Sequence, residues 1–272
     1  MRPGLRVILL GTGTPNAEPD RSGPSVAVVA GDKVYLVDFG PGVVRRAVAA
    51  GLDVTGLDTA LVTHLHSDHT AGYPDLVLTP WTLGREKPLR VYGPRGLAAM
   101  TGNILAAYAE DVRERLEGPE PANSTGHRVE AREIEPGVVL RDDGIEIEAF
   151  GVDHGSWPAF GYKFTAWDRT VVVSGDTAPC ALLVEKARGC DLLVHEVYSA
   201  AGLEKRPPEW RSYHRKMHTS AVELGEIARK SRPRLLVPYH QLRWGATEEE
   251  LLGEIRAGYD GEVVSGRDLD VF

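Results

Sequence analysis

The sequence predicts a layered α/β fold in which helices cover β-sheets. Short runs of apolar, β-branched residues dominate the first half of the chain and are separated by Gly, Pro and Asp, which is the pattern of strands joined by turns. The last third alternates helical and strand patterns, as expected of a layered α/β arrangement. With 272 residues and 42% hydrophobic side chains, the chain can form one substantial core. We therefore expect a single domain over residues 1–272.

The strands are predicted from apolar runs and the turns that bound them. Gly31-Asp32 separates two such runs by only two residues, which predicts a β-hairpin. The predicted strands cover residues 5–10, 25–30, 33–38, 59–63, 138–140, 145–150, 160–165, 170–174, 191–195, 234–238 and 262–264.

The helices are predicted from apolar periodicity and from the residues at their ends. Residues 41–51 carry alternating apolar pairs, begin with Pro41 and end with Gly51, an asymmetry typical of helices. The other predicted helices cover residues 94–116, 179–187, 220–230 and 247–257.

Composition restricts the partners and the compartment. A formal charge of −8 and a pI near 5.6 argue against a non-specific polyanion binder, so nucleic acid is disfavoured as a partner. Cys180 and Cys190 lie ten positions apart without a metal-binding spacing, which favours a reducing compartment over a disulfide scaffold. No apolar stretch approaches membrane-spanning length. We expect a soluble, cytoplasmic protein that does not contact a membrane.

The most informative stretch is His64-Leu65-His66-Ser67-Asp68-His69, directly after the predicted strand 59–63. Imidazoles beside a carboxylate favour Zn²⁺ and also accommodate Mn²⁺ or Fe²⁺. Residues 64 and 66 point the same way in an extended chain, whereas the adjacent residues 68 and 69 diverge. The spacing suits two neighbouring ions better than one tetrahedral centre, and it indicates a binuclear hydrolytic site.

Further candidate ligands follow strands elsewhere in the chain. His154 comes after residues 145–150, Asp176 after 170–174, and His240 after 234–238. A lone histidine after a strand is most often structural. Together with the first cluster, however, these residues supply the additional ligands that two ions require, provided that the strand ends meet at one rim.

The chain resembles metallo-β-lactamase-fold hydrolases, and within them the ribonuclease Z-like group and its arylsulfatase-like branch. The resemblance runs the length of the chain. Its motifs are Leu10-Gly11-Thr12-Gly13-Thr14-Pro15, Val37-Asp38-Phe39-Gly40, Thr63-His64-Leu65-His66-Ser67-Asp68-His69, Tyr92-Gly93-Pro94, His154, Gly175-Asp176-Thr177, Val194-His195-Glu196, His218-Thr219-Ser220 and His240.

The resemblance implies a four-layer αβ/βα sandwich, two divalent ions, and a homodimer. It implies that one ion is held by His64, His66 and His154, and the other by Asp68, His69 and His240. Asp176 would bridge the two ions, and Asp38 would orient a ligating imidazole. The resemblance also groups Asp68, His218 and Glu196 as catalytic residues.

His218 is the candidate general acid or charge stabiliser, with Glu196 fixing its tautomer. The alternative is that His218 is a structural residue packed beside the helix that begins near Ser220. His195 ends a predicted buried strand and is expected to be structural, while His127 and His214 are assigned to surface or loop positions.

The chain departs from transfer-RNA-processing members of the group in two places. Only 22 positions separate His154 from Asp176, whereas those enzymes commonly carry a substrate-clamping arm in this interval. Gln241-Leu242-Arg243-Trp244 also departs from the Phe-Ser-x-Arg-Tyr type sequence expected after the last ligand. The sequence therefore predicts a hydrolase of small anionic phosphodiesters or aryl sulfate esters.

Three alternatives stay open. They are a ribonuclease Z-type transfer-RNA 3′ endonuclease, a lactone or thioester hydrolase, and a non-hydrolytic diiron redox module. The last typically has a glutamate where this chain has His66, and it also needs an electron donor.

A basic segment over residues 202–217 is predicted to be a loop beside the site. It contains five Lys or Arg residues against Glu204 and Glu209. A solvated loop is the default, but ordered loops of this length also form substrate lids. The candidate substrate-contacting residues are Trp210, Arg211, Tyr213 and Arg215.

Overall fold

The computed structural model of the chain describes residues 4–142, 144–167 and 169–272. These residues divide into two compact units. The first contains the described residues of 1–11, 15–134 and 268–272, and the second contains residues 12–14 and 135–267. Each unit has a six-stranded sheet of its own.

The first sheet follows chain order from edge to edge. Its strands are β1 (Leu5–Gly11), β2 (Ser25–Ala30), β3 (Lys33–Val37), β4 (Thr59–Leu61), β5 (Leu89–Gly93) and β6 (Val129–Glu133). Strands β1 to β3 are antiparallel, and β3 to β6 are parallel. The predicted hairpin is confirmed, since Ala30 pairs with Lys33 and Gly31 has the positive φ of 63° that such a turn requires. Parallel strands place the segments after β3 and β4 at the same edge of the sheet.

Five helices belong to the first unit, together with a short 3₁₀ turn at Val54–Gly56. They are α1 (Val43–Ala49), α2 (Ser67–Thr70), α3 (Tyr73–Thr82), α4 (Leu97–Ala107) and α5 (Ala109–Glu117). The predicted helix over residues 94–116 is therefore two helices that meet at Tyr108. The apolar sides of α1, α3 and α4 contribute Val44, Leu76 and Leu97 to a core cluster with Leu36 and Val91 of the sheet.

Arg85 ties together three segments of the first unit. Its side chain is 1% exposed and donates hydrogen bonds to the carbonyl oxygens of Leu57, Leu76, Val77 and Gly126 over 2.7–3.2 Å. Burial lowers the pKa of this guanidinium to about 10, which leaves it charged at neutral pH. A buried charge is tolerated here because main-chain dipoles surround it.

The second sheet also contains six strands. They are β7 (Gly137–Asp142), β8 (Ile145–Gly151), β9 (Phe160–Ala166), β10 (Arg169–Val173), β11 (Leu192–Tyr198) and β12 (Leu235–Leu242). Strands β7 to β10 form an antiparallel meander, and β10, β11 and β12 are parallel. The residues that follow β10 therefore lie at the same edge as the carboxyl ends of β11 and β12.

The helices of the second unit cover this sheet through a second apolar cluster. They are α6 (Ala181–Lys186), α7 (Ala200–Glu204), α8 (Pro208–Met217), α9 (Ala221–Ser231) and α10 (Glu248–Arg256). Helices α9 and α10 begin with capping boxes, Ser220 with Glu223 and Thr247 with Glu250, and these fix both starting points. Leu193, Leu224 and Ile255 are among the residues of the cluster.

Two sequence-based predictions in this unit were wrong. The predicted loop at residues 202–217 is mostly helical, because Pro208 occupies the first turn of α8 and the cationic Arg215 and Lys216 favour its carboxyl end. The predicted strand at 262–264 contributes one isolated bridge, from Val263 to Leu236.

The α/β class is confirmed, with helices packed on each mixed sheet. The single domain over residues 1–272 stays a prediction. Within the described part of the chain, every helix is too short or too polar to span a membrane.

Candidate metal-binding and active site

Asp38 organises the ligand-bearing segment of the first unit. It follows β3 with a left-handed φ of 62°, a conformation that Asp adopts more readily than most residues. Its Oδ1 accepts the Thr63 N–H at 2.7 Å, and its Oδ2 accepts the Thr63 hydroxyl at 2.9 Å. The same Oδ2 lies 2.8 Å from His69 Nδ1. A carboxylate can only accept, so Nδ1 of His69 carries the proton and Nε2 is the nitrogen suited to a metal.

His64 and His66 present two ring nitrogens to one point. Thr63 Oγ1 lies 3.0 Å from His64 Nδ1, and His64 Nε2 lies 2.9 Å from His66 Nδ1. Two nitrogens bound to one Zn²⁺ at 2.0–2.1 Å lie roughly 2.9–3.4 Å apart for bond angles between 90° and tetrahedral. The observed separation fits a shared cation.

Asp68 and His69 lie in the single turn of α2, which begins after His66. Asp68 Oδ2 is 3.6 Å from His69 Nε2. The turn packs closely on the loop after β3, because a Cβ at Gly40 would lie 2.5 Å from the Asp68 carbonyl oxygen. The first unit therefore gathers His64, His66, Asp68 and His69 into one buried or half-buried cluster.

In the second unit, His154 follows β8 and is 1% exposed. Its Nδ1 lies 2.8 Å from the carbonyl oxygen of Met217. A carbonyl oxygen accepts only, so Nδ1 is protonated and Nε2 is the nitrogen suited to a metal. Gly155, with φ 62°, turns the chain directly after the histidine.

Asp176 and His240 lie at the same edge of the second sheet, and a different backbone feature positions each of them. Asp176 follows β10 through Gly175, whose φ is 61°. His240 has φ 44° and is the extra residue where the pairing of β11 with β12 shifts register, so a β-bulge redirects its side chain. Asp176 Oδ1 lies 3.7 Å from His240 Nδ1. Asp176, His218 and His240 each offer a potential ligand atom, and these atoms lie within 4.8 Å of one another.

Glu196 is fully buried on β11 and faces His218. Its Oε1 accepts the N–H groups of Thr219 and Thr177 at 2.8 and 3.3 Å, and its Oε2 lies 3.4 Å from His218 Nδ1. Burial raises the pKa of Glu196 well above its usual range, and the negative charge of Asp176 acts in the same direction. The raised pKa favours the protonated, neutral form of the Glu196 carboxyl group.

His195 is also fully buried, but its surroundings differ. Its Nδ1 lies 2.6 Å from the Glu196 carbonyl oxygen, and burial lowers its pKa to about 4. A neutral imidazole donating to the main chain is a structural residue.

The four predicted substrate-contacting residues all lie on α8. Arg211 Nη1 donates to Glu204 Oε2 at 2.8 Å, and Arg215 donates to the other oxygen of the same carboxylate. Trp210 and Tyr213 are 45% and 39% exposed, with their ring centroids 5.8 Å apart and nearly perpendicular. The arginines therefore link α8 to α7, while the two aromatic rings face solvent.

His214 is the functional candidate that the sequence-based assignment missed. It was assigned to a surface or loop, which was wrong, because it is 8% exposed and lies on α8. Its ring stacks on Trp210 at 5.8 Å and lies 5.4 Å from His218 and 4.5 Å from Trp244. The four-residue spacing of 210 and 214, which places both side chains on one face of a helix that ends just before His218, could have revealed it.

The chain is similar to known proteins over most of its length. A family model described as Beta-lactamase superfamily domain matches residues 34–241. A protein named Ribonuclease Z from Mycobacterium sp. (strain KMS) is 36% identical over 270 residues, covering 97% of this chain and 94% of the relative.

The chain belongs to the beta-lactamase superfamily, in its ribonuclease Z-like group. Two solved structures share its fold. The metallo-beta-lactamase fold protein YhfI from Bacillus subtilis has a TM-score of 0.78 at 18% identity, and human tRNase Z, short form, has a TM-score of 0.75 at 20% identity. Each comparison covers 98% of both chains. The predicted metallo-β-lactamase fold is thereby confirmed.

Membership of this group changes one expectation, which concerns the partner of the protein. The chain is a metallo-β-lactamase-fold hydrolase whose His and Asp residues indicate a divalent metal site. The expectation that nucleic acid is disfavoured as a partner is not supported, because the relative is named a ribonuclease. The number and identity of the ions, the homodimer and the aryl sulfate substrate stay predictions.

Proposed function

We propose that this ribonuclease Z-like chain hydrolyses phosphodiester bonds in RNA. The observation that carries the proposal is the match to a protein named Ribonuclease Z at 36% identity over nearly the whole of both chains. This function corresponds to the ribonuclease Z-type endonuclease that the sequence left open as an alternative. It replaces hydrolysis of small esters as the first candidate function.

The ligand assignment follows the family resemblance. We assign His64, His66 and His154 to one divalent ion, Asp68, His69 and His240 to the other, and Asp176 to both. The donor chemistry supports this assignment, since hydrogen bonds at Nδ1 leave Nε2 of His69 and His154 suited to coordination. The imidazole and carboxylate set favours Zn²⁺. The matched family region, 34–241, contains all seven residues.

Two divalent ions would activate a water molecule and polarise the phosphoryl oxygens. The residues of the chain would supply the proton that the leaving group needs. As the bond from phosphorus to the leaving oxygen breaks, that oxygen takes a proton, and His218 is the donor that we assign. Glu196, 3.4 Å from His218 Nδ1, holds the imidazole in place. Asp38 acts through His69, by fixing its tautomer and ring orientation.

Hydrolysis of small phosphodiesters or aryl sulfates is the second candidate. The interval between His154 and Asp176 favours it, because most of that interval is strands β9 and β10, which pair antiparallel and directly follow one another. A hairpin of this length offers little surface for a large RNA.

Cleavage assays distinguish the two candidates. Metal-replete protein is incubated with precursor transfer RNA carrying a 3′ trailer, and in parallel with bis(p-nitrophenyl) phosphate and p-nitrophenyl sulfate. We expect site-specific RNA cleavage that Asp176→Ala abolishes. Turnover of the small esters with intact RNA would reject the proposed function in favour of the second candidate.

A further inference from the structure

An exposed pair of aromatic rings lies on the helix that leads to the proposed proton donor. Trp210 and Tyr213 of α8 expose 45% and 39% of their surface. Arg206 lies over the Trp210 ring at 5.8 Å. We call this pair the aromatic edge.

The aromatic edge is connected to His218 by ring contacts. Trp210 stacks on His214 with planes 25° apart, and His214 lies 5.4 Å from His218. Trp244 packs against His214 at 4.5 Å. Rings held by neighbours lose little conformational entropy when a ligand binds. The aromatic edge is therefore a preformed surface, and the imidazole of His214 connects it to His218.

The charge around the aromatic edge suits a polyanion. The segment 202–217 carries five Lys or Arg residues and two Glu residues, so it is positive in a chain whose net charge is −8. Two of the cations, Arg211 and Arg215, share the single carboxylate of Glu204. This arrangement orients α8 and still leaves an excess of positive charge.

We infer that a nucleobase of the RNA substrate stacks on the aromatic edge, next to the phosphodiester that is cleaved. The inference rests on the proposed function and names the part of the substrate that this helix binds. Stacking suits the edge because every base presents a π-face, so binding needs no particular sequence. The surrounding positive charge attracts the phosphates on either side of the stacked base.

The test combines side-chain removal with base removal. The precursor transfer RNA is prepared with one abasic ribonucleotide at a time on either side of the cleaved bond. We expect Trp210→Ala and Tyr213→Ala each to lower kcat/KM for intact RNA by roughly 5- to 150-fold. One abasic position should lower the wild-type value similarly, and on that RNA the substitutions should have little further effect.

Matched variants separate stacking from structural damage. Trp210→Phe keeps a ring and should retain most activity. Tyr108→Ala, which removes a tyrosine of similar exposure in the first unit, should match wild type. Metal content and Tm are measured for every variant. Unchanged kcat/KM in the Trp210→Ala, Tyr213→Ala double variant, or an equal loss on all abasic RNAs, would overturn the inference.

A failure of the proposed function gives a different result. In that case wild-type protein cleaves no RNA but hydrolyses a small ester. Binding of a labelled single-stranded oligoribonucleotide, measured by fluorescence anisotropy, then tests the aromatic edge independently of cleavage. Weaker binding by the double variant would support the aromatic edge, and equal or undetectable binding would reject it.

Discussion

The Nδ1 atom of His69 and the Oδ2 atom of Asp38 lie 2.8 Å apart, and both side chains are almost completely buried. Asp38 holds this contact from a left-handed backbone position, φ 62°, and also binds both the N–H and the hydroxyl of Thr63. One carboxylate thus fixes a ring and the start of the ligand-bearing segment. Backbone strain of this kind is kept where the surroundings demand it.

Asp38→Asn should lower metal affinity by about 10- to 100-fold. Asparagine also tolerates the left-handed conformation, so the substitution tests the carboxylate rather than the backbone. An amide nitrogen facing His69 Nδ1 would force the proton onto Nε2, the proposed coordinating atom. Competition with a chelator measures the affinity, and Asp32→Asn in the exposed hairpin turn is the matched control. Equal affinities for the two variants would contradict this role.

Asp176→Ala should remove both ions, because one carboxylate is assigned to the two of them. Elemental analysis of metal-replete protein should find two ions per chain in wild type and in Asp260→Ala, a substitution of an exposed aspartate. A single tightly bound ion in wild type, or a fully active Asp176→Ala variant, would reject the binuclear assignment.

The positions of the ligand-bearing segments could be predicted from sequence, because each follows an apolar run whose period and length are local properties. His64, His154 and Asp176 all follow strands, as the pattern indicated. Helix α3 was not predicted, since Pro74 and Pro80 interrupt its pattern. Pro74 is compatible with the helix because it lies in the first turn, where its missing N–H costs no helical bond. At Pro80 the carbonyl oxygen of Leu76 loses its helical donor, and it accepts from Arg85 Nη1 instead.

Long-range contacts account for most of what sequence could not predict. The partners of Arg85 come from segments up to 41 positions away, and no local pattern indicates them. Likewise, Glu204 lies seven positions from Arg211 and eleven from Arg215, a relationship that exists only because α7 and α8 form helices. Two of the candidate substrate-contacting residues, Arg211 and Arg215, are therefore paired with a carboxylate.

Arg85→Met should destabilise the protein by at least about 3 kcal/mol, since several buried carbonyl groups would lose their donor. Arg85→Lys should recover only part of this loss, because an ammonium group cannot reproduce the planar fork of a guanidinium. Urea unfolding measures both. Arg188→Met, at an exposed position of the second unit, is the control. A loss in Arg85→Met no larger than that of the control would show that the buried network is dispensable.

Cys190 should make stability depend on alkaline pH. Burial raises the pKa of its thiol from 9.0 to about 12, so the folded state keeps the thiol neutral while the unfolded chain ionises. The contribution is complete below pH 9 and is lost as pH rises from 9 towards 12. Relative to Cys190→Ala, the wild-type free energy of unfolding should fall by about 1 kcal/mol between pH 8 and pH 10. A constant difference between the two proteins over this range would contradict the raised pKa.

The proposed role of His218 predicts a dependence on the leaving group. His218 Nδ1 lies 3.4 Å from Glu196 Oε2 and 3.8 Å from Asp176 Oδ2, so both carboxyl groups can orient the ring. His218→Ala should lower kcat by roughly 10²- to 10⁴-fold for phosphodiesters with alkoxide leaving groups, which need a proton. Nitrophenolate departs without one, so its esters should lose much less. His127→Ala, in a loop of the first unit, should match wild type on every substrate. Equal losses for His218→Ala across leaving groups of very different pKa would remove the proton-donor role and leave His218 as an orienting residue or a metal ligand.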